Sequence, residues 1–272
     1  LFGIESDNDN IEFSTIPFKF NIDNREFVDD ENIDINELNL AIENCKKTCA
    51  SACPSPGEWY KEFNEDANIF AVTISKNLSG SYDSAVTAKN MIREDTGNKN
   101  IHVFSSISTG PGLVIIIEKI IELINLGLSY EEIIDRVNGY IHHTHTIFAL
   151  CSFDNLVRNG RVPKIVGLAA RALKIWGIGA GTSEGTIAIK GKARGEKKCI
   201  DFLVKDIKGK NISDCKLIIS HAQNEGFALK LKERLQQEIS GLDITIHDTR
   251  GLDTFYAEHL GVIVCYEGAL NI

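Results

Sequence analysis

The sequence predicts a two-domain α/β protein, and three observations carry that expectation. Short apolar runs alternate in order with amphipathic segments, as strands and helices do. Two capping boxes, Ser55-Pro-Gly-Glu58 and Ser129-Tyr-Glu-Glu132, mark helix starts. A chain of 272 residues exceeds one comfortable core, so a division into 1–150 and 151–272 is expected.

Taken in order, Pro56 at the first helical position opens a helix to about Asn64. Asn68 to Ser75 (NIFAVTIS) reads as a buried strand, and the loop Lys76 to Ser81 leads into a helix over Tyr82 to Arg93. Asn100 to Ser105 is the next strand, followed by an apolar helix from Pro111 to about Leu126. The second capping box starts a helix that runs towards Ile141. Strand, serine-bearing loop and helix in succession place loops at the carboxyl ends of a parallel sheet, where open α/β folds bind ligands.

From Thr146 the texture changes. Thr146 to Cys151 is a strand, Asn159-Gly160-Arg161 a turn, and Pro163 to Ile175 an apolar helix ending at Gly177. Gly177 to Gly181 (GIGAG) reads as a loop, since the order of elements around it is wrong for a dinucleotide fingerprint. A short strand over Thr186 to Lys190 precedes the basic segment Lys190 to Lys198 and a helix to about Ile207. Lys216 to Ser220, Asp243 to His247 and Gly261 to Tyr266 are strands, with an amphipathic helix over Glu225 to Ile239.

Composition excludes several classes of function. A formal charge of −9 with 8% aromatics argues against nucleic acid, because phosphate neutralisation needs clustered cations. The most apolar stretch, Leu113 to Leu126, is interrupted by Glu118, Lys119 and Glu122 and is too short for a membrane span. Seven cysteines announce no disulfide framework, which fits reduced thiols in the cytoplasm. Cys45, Cys49 and Cys53 lack a Cys-x-x-Cys pair, and Pro54 ends any helix they share, so no metal or cofactor is expected. His142, His143 and His145 are expected to face solvent or cap carbonyls. No signal peptide is visible, and with Met91 the only methionine the natural start is expected to precede Leu1.

Three hydroxyl-rich loops stand out: Ser51 with Ser55; Ser75 with Ser79, Gly80 and Ser81; and Ser105, Ser106 and Ser108. Each lies near an expected helix start, where free N–H groups favour an anion. Any one of these serines is more simply an N-cap, but three such loops together point to a shared anion site. The alternative is a serine-dependent hydrolase acting on a small acyl substrate. Leu78-Ser-Gly-Ser81 does not match the Gly-x-Ser-x-Gly elbow, and His221 is the best-placed distant base.

Ser51-Ala-Cys-Pro-Ser-Pro-Gly-Glu58 and Ile74-Ser-Lys-Asn-Leu-Ser-Gly-Ser-Tyr-Asp-Ser-Ala85 resemble the two signature segments of the DegV family. The likeness continues through Ser106-Ile-Ser-Thr-Gly-Pro111, Asn155-Leu-Val-Arg-Asn-Gly-Arg161, Lys192-Ala-Arg-Gly-Glu-Lys-Lys198 and Ile219-Ser-His-Ala222. This resemblance implies a parallel-sheet N-terminal domain, a C-terminal domain with a mixed sheet, and a ligand between them. It also implies a lipid carrier, not an enzyme: one long-chain fatty acid is bound and presented to a separate fatty-acid kinase for acyl phosphate formation. Ser51 and Ser79, with Gly80 and Ser81, then correspond to the carboxylate site. Arg161, Arg194 and His221 correspond to head-group or kinase-facing positions, and the role is compatible with transient contact at a membrane surface.

Two departures accompany the likeness. The family's opening strand with its Asp-Ser motif is expected before Leu1, and Thr254-Phe-Tyr-Ala-Glu258 stands where many members carry His-x-Gly-Pro-Gly. A fatty acid needs apolar walls, worth about 0.8 kcal/mol per buried methylene, and donors for its carboxylate. Leu113 to Leu126 and Val162 to Ile175 are candidate walls. Arg194 precedes Gly195, where the backbone can turn to aim a guanidinium fork at phosphate or an acidic surface.

Overall fold

In the computed structural model, residues 4, 6–97, 99–163 and 175–268 are described. The chain opens with a small antiparallel sheet that the sequence pattern did not announce. Strands β1 (Lys19–Ile22), β2 (Arg25–Val28) and β3 (Cys49–Ala52) pair in the order β2-β1-β3, with α1 (Ile35–Asn44) crossing between β2 and β3. Four-residue strands carry too little periodicity to be read alone, yet Phe20, Ile22, Phe27, Leu38 and Cys49 share one core.

Next come α2 (Pro56–Phe63), β4 (Ile69–Thr73), α3 (Ser81–Thr96), β5 (Ile101–Ser105), α4 (Pro111–Asn125) and α5 (Tyr130–Ile141). Both capping boxes form as expected. Ser55 N–H donates to Glu58 Oε2 at 2.8 Å, and Ser129 N–H to Glu132 Oε2 at 2.9 Å. Strands β4 and β5 are parallel, with Ile69 beside Ile101. Helix α4 is buried along most of its length because it packs on β4 on one side and on β6, β9 and β11 on the other.

The remaining elements are β6 (Thr144–Leu150), α6 (Asp154–Arg158), β7 (Ile175–Gly181), β8 (Ile187–Arg194), α7 (Glu196–Lys208) and β9 (Lys216–His221). They are followed by α8 (Glu225–Glu238), β10 (Asp243–Asp248), α9 (Gly251–Ala257) and β11 (Val262–Glu267). The strands form one mixed sheet in the order β10-β9-β11-β6-β7-β8. Helices α7 and α8 cover one face around Leu203, Ile207, Phe227 and Leu231.

Two expectations for this region change. Gly177 to Gly181 is not a loop but most of β7, and Gly177 and Gly179 make room for aromatic rings. A Cβ at Gly177 would stand 2.2 Å from Phe153 Cε2, and one at Gly179 would stand 2.4 Å from Phe148 Cζ. The helix expected over 163–175 lies almost entirely outside the described residues, and Ile175 itself begins β7.

Strand direction gathers the candidate residues. Leu150 pairs with Gly177, and Gly177 with Lys192, so Arg194 emerges at the edge from which residues 151–161 leave β6. Strand β9 ends at His221 and β10 at Asp248 on that same edge, and α9 follows directly. It is the carboxyl edge of β6, β8, β9 and β10.

Candidate functional site

Ser51 sits on β3 opposite Phe20 of β1, half-buried. Its Oγ lies 2.7 Å from the hydroxyl of Tyr256 on α9. The guanidinium of Arg161 stands 6.0 Å from the centre of the Tyr256 ring. Arg161 Nε donates to the Leu78 carbonyl at 2.9 Å, and Nη1 donates to the Asn159 carbonyl. Strand β3, the Leu78–Ser81 loop, the Asn159–Arg161 turn and α9 therefore converge on one place.

The turn owes its shape to Gly160, whose φ of +72° favours glycine. Asn159 Nδ2 donates to the Cys49 carbonyl at 3.1 Å and to the Asn155 carbonyl at 2.9 Å, which ties the turn to β3. Ser79 is buried next to this cluster. Its Oγ accepts the Ser81 N–H at 3.2 Å, and the neighbouring Gly80 faces Cys53, whose Sγ would be 3.6 Å from an added Cβ. Burial and the neighbouring Cys45 push the Cys49 thiol well up, so it stays protonated at neutral pH.

Ser75 of the second hydroxyl loop, and Ser106 and Ser108 of the third, are spent on structure. Ser75 Oγ donates to the Gly185 carbonyl at 2.7 Å, Ser106 Oγ to the Ser108 carbonyl at 3.1 Å, and Ser108 Oγ pairs with Thr146 Oγ1 at 2.7 Å. Ser55 is the N-cap that its motif implied. Ser51 and Ser79 thus stay with the cluster while Ser75, Ser106 and Ser108 hold loops together.

His221 is buried at the end of β9 and engages other partners. Its Nδ1 accepts the Asn224 N–H at 3.3 Å and lies 3.4 Å from Asp248 Oδ1. Among the described residues no histidine is hydrogen-bonded to Ser51 or Ser79. Arg194 ends β8 exposed, and Gly195 after it has the expected left-handed turn at φ +83°. Lys190 in the same window is paired with Asp206 at 3.0 Å. Among the described residues no three His, Cys, Asp or Glu side chains are placed to hold a metal ion, and no helix is long and apolar enough to cross a membrane.

A cavity of about 900 Å³ lies elsewhere, along β4 and α4. Of the candidate residues only Ser81 reaches it; Leu113, Ile117, Ile120, Ile121 and Ile124 supply one wall. Every residue from Asn68 to Ile74 lines it, so it runs along the edge of β4 that faces away from β5. Backbone groups on a strand edge require hydrogen bonds that a hydrocarbon chain cannot give. Five residues of the segment Leu113 to Leu126 thus line this cavity, whereas Ser51, Ser79 and Arg161 do not.

The family model described as "Uncharacterised protein, DegV family" matches residues 7–265. The chain belongs to the DegV family. A DegV domain-containing protein of Streptococcus pneumoniae is 35% identical over 258 residues, covering 95% of this chain and 92% of its own length. Among solved structures, a DegV family protein from Eubacterium eligens loaded with heptadecanoic acid superposes with a TM-score of 0.91. It is 34% identical and covers 97% of this chain and 96% of that one. The Fatty Acid Kinase B3 protein of Streptococcus pneumoniae, loaded with linoleic acid, gives 0.89 at 34% identity, covering 93% and 90%.

Of the residues that this DegV chain brings together, Tyr256 was not singled out from the sequence. The available signal was negative: Thr254 to Glu258 departs from the family pattern. A tyrosine in a seven-residue helix reads as core until β3 is placed beside it.

Proposed function

We propose that this DegV protein binds one long-chain fatty acid, with its carboxylate at Ser51, Ser79 and Arg161 and its hydrocarbon chain inside the protein. The observation that carries the reading is the convergence of Ser51 and Arg161, held by Asn159 and Leu78, at the carboxyl edge of the mixed sheet. A guanidinium and hydroxyl donors suit a carboxylate, which is costly to bury without them. Relatives of the same fold and about a third identity hold heptadecanoic and linoleic acid.

Native mass spectrometry of protein purified from cells tests this. The expected result is an added mass in the C16–C18 fatty-acid range that is released on denaturation. Ligand-free protein that turns over simple esters, with turnover lost in Ser79→Ala, would replace it with the hydrolase reading.

The bound acid is presented to a separate ATP-dependent kinase, which transfers a phosphoryl group to the carboxylate and yields acyl phosphate and ADP. Arg194 supports this reading: it is exposed and leaves the sheet at the same edge as residues 151–161. Arg194→Ala is expected to keep fatty-acid affinity within about threefold while strongly reducing kinase-dependent acyl phosphate formation. Loss of lipid binding would instead make it part of the carboxylate site.

A further inference from the structure

The pairing of Ser51 with Tyr256 does more than fasten α9 to β3. The neighbours Thr254, Phe255 and Ala257 are buried, and Phe255 stacks on Phe20 with ring centres 5.0 Å apart. Tyr256 turns its ring edge-on to Phe255 and is left half-buried, as is Ser51. Neither hydroxyl is sealed inside the core.

Two hydroxyls share two protons, and their mutual bond at 2.7 Å uses one. The second proton is free to donate to a third group. Arg161 stands over the same tyrosine ring with five N–H donors, of which the carbonyls of Leu78 and Asn159 take two. A pair of hydroxyls with one spare proton, beside a guanidinium with spare donors, calls for an anionic acceptor.

We infer that Tyr256 is a direct carboxylate-binding residue, donating with Ser51 as a hydroxyl pair to the head group and discriminating the free acid from neutral derivatives. This rests on the fatty-acid reading above.

The test compares palmitic acid with its methyl ester on wild type, Tyr256→Phe, Ser51→Ala and the double variant, with thermal melts in parallel. The expected result is a five- to hundredfold loss of acid affinity in Tyr256→Phe, with the ester changed less than about twofold. The double variant should lose less than the product of the two single losses, because both residues serve one carboxylate. Unchanged acid affinity in Tyr256→Phe overturns the inference, as does an equal loss of acid and ester, which would mark a packing role. Wild type that binds neither ligand contradicts the fatty-acid reading itself and the inference with it. Should Tyr256→Phe melt early, its acid-to-ester affinity ratio measured below its melting temperature decides: a ratio lowered roughly five- to a hundredfold supports the inference, and an unchanged ratio overturns it.

Discussion

Asn159 reaches from the turn before Arg161 to the backbone of Cys49, two residues from Ser51, and so fixes the spacing between guanidinium and hydroxyl. Its Nδ2 is shared with the Asn155 carbonyl, so both side-chain N–H groups are in use. Asn159→Ala should cost about 1–3 kcal/mol of stability and weaken fatty-acid binding through a displaced Arg161. Asn159→Asp should be worse than alanine, since a carboxylate would face two carbonyls. Thermal melts and titration with a fluorescent fatty acid check both; aspartate equal to or better than alanine would show that the hydrogen bonds do not position the turn.

Ser51→Ala and Ser79→Ala should each lower fatty-acid affinity roughly five- to a hundredfold, since each removes a donor from a buried charge. The double variant should fall short of additivity. Ser79 Oγ also accepts the Ser81 N–H at the start of α3, so its variant should lower the melting temperature as well as the affinity. Strict additivity, or no effect from either change, would place the carboxylate elsewhere.

Much of this arrangement was legible in the sequence, and the misses have physical causes. The capping boxes, the strand–loop–helix order and the Asn-Gly-Arg turn are local, and each formed where its residues stand. Sorting the serines was not a local question. Ser75 and Ser79 look alike in sequence, yet one is claimed by Gly185 and the other is left beside Arg161's loop. Tyr256 and Ser51 are 205 positions apart, and no periodicity links them. The glycines of β7 look like a loop because their conformational freedom is visible in sequence while the rings packed on them are not.

Those rings give a test of β7. Gly179→Ala should destabilise the protein by about 1–3 kcal/mol, because Phe148 is buried and has little room to retreat. Pairing it with Phe148→Leu should cost less than the sum of the separate changes. A harmless Gly179→Ala in thermal melts would contradict the close packing of ring on strand.

Asp253 gives a pH signature. Loss of hydration, with Asp29 nearby, holds its carboxyl up to about 6, above the ordinary 3.8, while Thr109 Oγ1 donates to it at 3.2 Å. Below the ordinary value both folded and unfolded chains hold the proton, so there is no penalty. As pH rises towards 6 the unfolded chain releases its proton first, and stability falls. Asp253→Asn should therefore stabilise by about 1–3 kcal/mol at pH 8 and by almost nothing near pH 4, read from denaturation midpoints. An equal gain at both pH values would assign the effect to packing.

The central claim, a carboxylate met by hydroxyls and a guanidinium, is tested most directly by ¹³C NMR of carboxyl-labelled palmitate bound to the protein. Donors that stabilise the charged form lower a carboxyl pKa, whereas burial without them raises it. One protein-bound resonance is expected, staying at its ionised position to below the ordinary carboxyl range of about 4. In Arg161→Ala or Tyr256→Phe its titration should move upward. A bound carboxyl that titrates at or above the ordinary range in the wild-type protein, unmoved by either change, would contradict the account.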